Sequence, residues 1–348
     1  MKKTVYVGMS GGVDSSLTAA LLKEQNYDVV GIYMKNWTQD LPGMKCPWAE
    51  DLADAKRVAV MLDIPFKIFD FQKEYKQNVV NYMIREYSAG RTPNPDIMCN
   101  QEVKFKLFLD ASIKAGADLI ATGHYARTKN GRLLRAKNSD KDQTYFLYRV
   151  TESALSKTLF PIGNFVTKDE VRKEAEKRSL TTARKKDSQG ICFVGSVGIR
   201  DFLSQFVETE SGNIIEKETG KTLGRHDGAI FYTFGQRHGL NIGGGLPYYV
   251  VGKDMKKNEV YISTNLNVAE FWRDEIEISN THWINNAPES GKTYQVRVRH
   301  RAPLINAKIM IQKEGAILRL KTPERAVASG QSVVIYCGEI CLGGGIVK

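Results

Sequence analysis

The run TVYVGMSGGVDSS, residues 4–16, joins a short apolar segment to the start of an amphipathic one, and the reading of its two glycines decides the fold. Residues 4–9 are an apolar run of the kind buried in a parallel sheet, and Leu17, Ala20 and Leu21 follow at helical spacing. Between strand and helix, Gly11 and Gly12 let the backbone turn tightly and point its N–H groups inward. The helix N-terminus adds partial positive charge, and Ser10, Ser15 and Ser16 add hydroxyl donors. Such a loop suits a pyrophosphate. SGG alone would equally serve as a glycine turn with an Asp or Ser helix cap, so the specificity lies in the full context of strand, SGGxDS and helix. The GK[ST] ending of the Walker loop, whose lysine assists transfer of a terminal phosphoryl group, is missing.

This context resembles the PP-loop pyrophosphatases, which cleave ATP between the α and β phosphates and adenylate an oxygen of the substrate. The surrounding chain fits such a domain. VVGIYM (29–34), FKIFDF (66–71) and DLIATGHY (118–125) read as further buried strands, with helical patterns at Asp14–Lys23 and Glu50–Leu62. This alternation predicts an α/β doubly wound domain, of the adenine nucleotide alpha hydrolase-like, Rossmann type, with its ligand at the carboxyl edge of the strands. ALSKTLF (154–160) and KDEVRKEAEKRSL (168–180) read as helical, the latter burying Val171, Ala175 and Leu180.

From about residue 210 the texture changes. TYQVRVRH (293–300), NAKIMIQ (306–312), AILRLK (316–321) and SVVIYC (332–337) alternate with period two at spacings of about ten residues, the pattern of a small antiparallel barrel. The chain is therefore expected to divide into a PP-loop ATP-binding catalytic domain (1–204), a β-rich central domain (205–265) and a C-terminal β-barrel (266–348). GLNIGGG (239–245) has dinucleotide-like glycines, but without the strand–helix context it reads as a loop.

With 50 Lys+Arg against 39 Asp+Glu, the 348 residues carry a formal charge of +11, which favours a polyanionic partner without specifying a fold. No run of 18 apolar residues suggests a membrane span, and the start of the chain has no signal-peptide core, so a cytoplasmic protein is expected. The five cysteines are odd in number and dispersed, which argues against a structural disulfide framework and leaves any important thiol reactive.

Two thiols lie in polar loops marked by Gly or Pro: Cys99 in TPNPDIMCNQEVKF (92–105) and Cys192 in KKDSQGICFVG (185–195). Any single cysteine is more often a small buried hydrophobe, but two such loops downstream of an ATP loop change the balance. An adenylated carbonyl oxygen is a good leaving group, so a sulfur nucleophile nearby could replace oxygen with sulfur. Arg184, Lys185 and Lys186 would favour the thiolate. Asp96, three residues before Cys99, could act as acid or base or only form an Asx turn after Pro95. Cys46, Cys337 and Cys341 read as buried or incidental, because no nearby ligands complete a metal site.

Taken together, GMSGGVDSS, YMKNW, DLADAKRVA, AGRTPNPDIMCN, KFK, ATGHYAR, KDQTYFLY, KKDSQGICFVG, GQRHGL and GEICLGGG resemble, in this order and across essentially the whole chain, the bacterial tRNA-specific 2-thiouridylase family, MnmA. The resemblance implies adenylation at C2 of the wobble uridine of tRNAs for Lys, Glu and Gln, then sulfur insertion from a persulfide. Carried over residue by residue, the ATP site falls on Gly8, Met9, Ser10, Gly11, Gly12, Val13, Asp14 and Ser15, with Met34 and Gly123 on the adenosine side. Asn94, Pro95 and Asp96 meet the target base, Cys192 carries the persulfide and Cys99 releases its sulfur by forming a disulfide with it. Lys141, Asp142 and Gln143, with Arg299 and His300, contact tRNA.

On the residues alone Lys141, Arg299 and Arg301 could be ordinary solvated charges, although alternation in VRVRHR would put Arg297, Arg299 and Arg301 on one side of a strand, as a basic stripe for phosphates. A flipped-out base also fits, because chemistry at C2 needs the base out of its stack. Magnesium is expected because ATP normally binds with it. The implied partners are tRNA and a persulfide-bearing donor, a cysteine desulfurase or sulfur relay protein. Two stretches depart from the family pattern, TQDLPGMKCPWAE (38–50) and GGGLPYYVV (243–251), and leave the donor's identity open. A PP-loop amide ligase would need no cysteine pair. An RNA-binding protein with a degenerate ATP loop would turn over no nucleotide.

Overall fold

The computed structural model describes residues 2–40, 46–187, 198–243, 245–267 and 271–348. Its first layer is a five-stranded parallel sheet of β1 (Thr4–Gly8), β2 (Asp28–Lys35), β3 (Phe66–Asp70), β4 (Leu119–Thr122) and, after the β5–β6 hairpin (Ala126–Lys129, Arg132–Arg135), β7 (Thr158–Leu159), in the order β3-β2-β1-β4-β7. Strand β1 is central because Val5, Tyr6 and Val7 are all buried, which only a strand covered on both faces allows. Helix α1 (Val13–Glu24) buries Leu17, Ala20 and Leu22, and α2 (Trp48–Met61) buries Ala55, Val58 and Ala59.

Three expectations change. FKIFDF is not a buried strand: β3 is the edge of the sheet, and Lys67, Ile68 and Asp70 are exposed. ALSKTLF is not one helix, since a short helix Glu152–Ser156 ends before Thr158, whose residue enters the sheet as β7. The segment bearing Cys99 is not a polar loop, because Pro95 occupies the first position of a helix, where its fixed φ and missing N–H cost nothing, and the chain stays helical through Leu107.

The second sheet holds β8 (Gly212–Glu216), β9 (Thr222–His226), β10 (Tyr249–Asp254) and β11 (Glu259–Ser263), ordered β10-β11-β8-β9, with a small core of Ile214, Val250, Val260 and Ile262. The third contains β12 (Trp272–Trp283), β13 (Thr293–Arg297), β14 (Ile305–Gln312), β15 (Gly315–Arg325), β16 (Ser332–Cys337) and β17 (Ile340–Val347). Its order β12-β15-β14-β13-β16-β17 closes through β12–β17 into an antiparallel barrel. The period-two pattern does what it should: Ile309 and Leu318 are buried while Met310 and Arg319 point out.

The barrel is not separate from the first layer. β6 of the hairpin pairs with β17, Leu134 opposite Ile340 and Leu133 opposite Cys341, so the N-terminal half adds two strands to the barrel's sheet. Glu339 reinforces the join, 3.0 Å from Arg127 and 3.1 Å from Lys137. No helix among the described residues is long and apolar enough to cross a membrane.

Candidate active site

The loop after β1 is shaped by its own serines. The Ser10 N–H donates to Ser15 Oγ at 3.1 Å, and the hydroxyls of Ser15 and Ser16 donate to the Gly12 carbonyl at 3.1 and 2.9 Å. Gly11 has φ +74°, and a Cβ there would stand 2.3 Å from the Asp51 carbonyl oxygen of α2, so only glycine fits. Met9 and Val13 are buried and anchor the loop, leaving Ser10 exposed and Gly12 and Asp14 half-buried at the N-terminus of α1. Met34 packs on Gly8, and Gly123, just past β4, lies so close to α1 that a Cβ would be 2.7 Å from the Ser15 nitrogen. The residues expected to surround a nucleotide are thus gathered at the carboxyl edge of the sheet. Two clefts of about 370 and 480 Å³ lie elsewhere, beside the β5–β6 hairpin, one of them at the opposite end of α1.

Around the loop mouth runs a chain of charges. Lys168 Nζ is 2.8 Å from Asp14 and 2.8 Å from Asp187, and Asp187 is also held by Lys141 at 2.9 Å and Arg172 at 3.1 Å. Burial alone would raise the Asp187 carboxyl, but hydrogen bonds from Lys168 and Lys141 hold it below the usual carboxylate range. Lys168 had no sequence signal beyond opening the helix Lys168–Lys177. Lys185 is engaged by Asp51 at 2.7 Å and Asp54 at 2.6 Å, and Arg184 by Glu176 at 3.1 Å. Both cations are thus paired with carboxylates. Cys192 itself lies outside the described residues.

Cys99 follows the short helix Pro95–Met98 and opens a π-helical segment, Cys99–Leu107, that continues as the α-helix Phe108–Lys114. Such wide turns are rare and recur at functional sites. The thiol is 1 % exposed. Burial pushes it up from its ordinary value, opposed by Lys104 and by a hydrogen bond from Tyr75 and reinforced by Asp96. Phe105 packs 5.7 Å from the His124 ring, and burial together with Lys104 pushes that imidazole well down. Of the other cysteines, Cys46 and Cys341 are buried and Cys337 is exposed.

The two segments meet through KDQTYF. The Tyr125 hydroxyl donates to Asp14 at 2.9 Å, and the Tyr125 backbone exchanges two hydrogen bonds with Gln143: its N–H to Oε1 at 2.8 Å, and its carbonyl from the Gln143 N–H at 2.9 Å. Three residues on, the Phe146 carbonyl accepts from Asn100 Nδ2 at 3.0 Å, and the Phe146 ring lies 4.4 Å from the His300 ring. A continuous path thus links the loop after β1 to the helix bearing Asp96 and Cys99 and to the barrel. The Thr92 N–H donates to the Ser329 carbonyl, in the loop between β15 and β16, at 2.8 Å, and Thr92 Oγ1 lies 3.3 Å from Thr233 Oγ1 in the middle unit, so the segment leading into Asn94, Pro95 and Asp96 is held from both. Neither Asn100 nor Phe146 was singled out from sequence.

The barrel residues need correction. Arg297, Arg299 and Arg301 do not make an exposed stripe, because β13 ends at Arg297 and Arg301 sits in a turn with φ +62°. Arg297 is 6 % exposed and directed inward, 3.2 Å from Asp142. Asp142, implied as an RNA contact, is 1 % exposed and accepts from the Thr144 hydroxyl and the Ala136 N–H. Its carboxylate is satisfied inside the protein. Lys141, Gln143, Arg299 and His300 are half-buried, with Arg299 3.3 Å from Glu324. Burial, with Arg301 and Arg297 nearby, lowers His300 to about 4, so the ring is neutral at pH 7.

Three family models match the chain in sequence: the tRNA methyl transferase HUP domain over residues 3–196, the tRNA methyl transferase PRC-barrel domain over 200–264 and the aminomethyltransferase beta-barrel domain over 273–347. The chain is 47 % identical to the tRNA-specific 2-thiouridylase MnmA of Methylobacillus flagellatus, over 100 % of this chain and 99 % of that one. It is 45 % identical to the protein of the same name from Bacillus subtilis, over 99 % and 94 % of the two chains, and 44 % to that of Streptococcus sanguinis, over 99 % and 95 %. Agreement of this extent, spanning the nucleotide loop, the Cys99 helix and the barrel alike, makes the chain a member of the tRNA-specific 2-thiouridylase family, MnmA.

Proposed function

We propose that this chain is an ATP-dependent tRNA-uridine 2-sulfurtransferase acting in the cytoplasm on the wobble uridine of tRNAs for Lys, Glu and Gln. Gly8 to Ser15 hold the phosphates of ATP, with Met34 and Gly123 beside the adenosine. The observation that carries this reading is the hydrogen-bonded path from Asp14 through Tyr125 and Gln143 to Phe146 and Asn100, which sets a pyrophosphate loop beside the helix of Asp96 and Cys99. Magnesium would arrive with the nucleotide's phosphates, since the carboxylates nearest the loop, Asp14 and Asp51, are each engaged by a lysine.

In the first step the uridine O2 attacks the α-phosphorus, pyrophosphate leaves, and the N3 proton is lost, with Asp96 as its acceptor. The terminal sulfur of a persulfide on Cys192 then attacks C2, and AMP leaves with the oxygen. Finally the Cys99 thiolate attacks Cys192 Sγ. The sulfur–sulfur bond breaks with its electron pair left on the sulfur that stays on C2, N3 regains its proton from Asp96, and a Cys99–Cys192 disulfide forms. Before each further turnover a reductant of the thiol class must open that disulfide, and a persulfide-bearing donor protein must reload Cys192. Lys141, Gln143, Arg299 and His300 meet the RNA around Asn94, Pro95 and Asp96, and Asp142 holds their segment in place. The division into 1–204, 205–265 and 266–348 is our proposal for the folding units.

The family-model names mention methyl transfer, and one experiment separates the two chemistries. The protein is incubated with tRNA, ATP, a persulfide donor and a sulfonium methyl donor, and the nucleosides are analysed. We expect 2-thiouridine together with AMP and pyrophosphate; a methylated base, or neither 2-thiouridine nor AMP, would overturn the reading. Cys192→Ser should abolish sulfur incorporation while leaving adenylation, an outcome that an amide ligase, which needs no thiol, would not give.

A further inference from the structure

Among the described residues, buried polar atoms without a hydrogen-bond partner include Asn94 Nδ2, Asn100 Oδ1 and His300 Nδ1, all from the segments that meet around Asp96 and Phe146. Native structures rarely leave such atoms unsatisfied, and several at one junction suggest groups reserved for a ligand.

Asn100 is the most informative of them. It is 3 % exposed, and its Nδ2 donates to the Phe146 carbonyl at 3.0 Å. A carbonyl oxygen can only accept, so this bond fixes which end of the amide is which. The remaining atom, Oδ1, is therefore an acceptor with no donor, and only a donor can satisfy it. Asn100 directly follows Cys99, and Phe146, to which it is tied, pairs with His300 in a half-buried aromatic platform on which a base can stack.

The Watson–Crick edge of uracil carries one donor, N3–H, between two carbonyl oxygens, whereas N3 of cytosine is an acceptor. The geometry points to Asn100 as the residue that reads the imide of the target base before activation: Oδ1 accepts N3–H until Asp96 takes that proton in the adenylation step, the ring stacks on Phe146 and His300, and cytosine is refused because two acceptors would face each other in a buried site. Asn94 Nδ2, a donor, complements a neighbouring carbonyl of the same edge. Discrimination against a base lacking the hydrogen is then built into the floor of the site, adjoining the thiol that completes sulfur transfer.

This assignment rests on the proposed thiolation, and the test separates the two. Anticodon stem-loop RNAs carrying uridine, cytidine or 3-methyluridine at the target position are titrated without ATP against wild-type protein and Asn100→Ala. Wild type should bind the uridine RNA roughly tenfold to a hundredfold more tightly than the other two, the scale of one buried unsatisfied acceptor. Asn100→Ala should bring the uridine RNA to the level of the others, which change less than twofold. Wild-type indifference, or an equal loss on all three RNAs, would overturn the assignment. If Asn100→Ala fails to fold, Asn100→Ser, which keeps a hydroxyl donor for Phe146, is read in the same way. Indifferent binding by a protein that still makes 2-thiouridine sinks Asn100 alone; absence of both 2-thiouridine and AMP sinks the thiolation reading.

Discussion

Asp142 Oδ2 lies 3.2 Å from Arg297 Nη1 with both side chains out of solvent, and this pair clamps the KDQ segment of the first domain against the first strand-end of the barrel that follows β12. Removing one partner of a buried pair leaves the other charge uncompensated, at a cost of about 3–5 kcal/mol. Asp142→Ala should therefore lower the thermal unfolding midpoint by several degrees or more, as followed by circular dichroism. An unchanged midpoint would mean the pair is solvated. An RNA-contacting aspartate, by contrast, would alter RNA affinity and leave the midpoint where it was.

Gly11 occupies left-handed space with the Asp51 carbonyl against it. Gly11→Ala must either strain the backbone, at about 1–3 kcal/mol, or push α2 away from the loop. We expect the apparent KM for ATP in AMP release to rise at least tenfold. A normal KM would show that the loop tolerates the displacement and that its shape is not what binds phosphate.

Lys168 neutralises both Asp14 and Asp187 at the mouth of the loop. Lys168→Ala leaves Asp14 without its lysine and Asp187 with only Lys141 and Arg172, so nucleotide affinity, measured by equilibrium titration, should fall about tenfold or more, with the larger loss at low salt where screening is weakest. Equal affinity in the variant would remove this lysine from the nucleotide site.

Burial lowers the imidazoles of His124, His226, His282 and His300, the last to about 4. The unfolded chain, with imidazoles near 6.5, binds more protons than the folded one in the interval between, so stability is full above about 6.5 and is lost as pH falls toward 4. Midpoints measured at pH 7.5 and pH 5 should differ accordingly. His300→Phe should reduce that difference, and an identical pH dependence in the variant would show that His300 is solvated.

The parallel domain was legible because its signals are local: β1, the glycine turn and the first turns of α1 lie within one short stretch, and buried Val5 and Val7 permit no other layer. The barrel strands were equally plain in their alternation. What stayed hidden depends on distant pairings. Nothing in RLLR announces that Leu133 and Leu134 will pair with Cys341 and Ile340, and nothing in VRVRHR says that Arg297 turns inward to Asp142. Site residues divided the same way. Gly11 carries its reason in its own backbone, whereas Asn100 and Lys168 acquire meaning only from Phe146, Asp14 and Asp187, which lie far along the chain.

Strand β17 pairs with β16, with β12 and, through two residues, with β6, and every one of these partners precedes it in the chain. During synthesis the barrel can therefore close, and its sheet join the β5–β6 hairpin, only after β17 has emerged. A product of premature termination before that strand would carry three open strand edges, at β6, β12 and β16. Such edges invite pairing with other chains. The same strand that joins the domains thus separates finished from unfinished molecules, and truncated copies should aggregate.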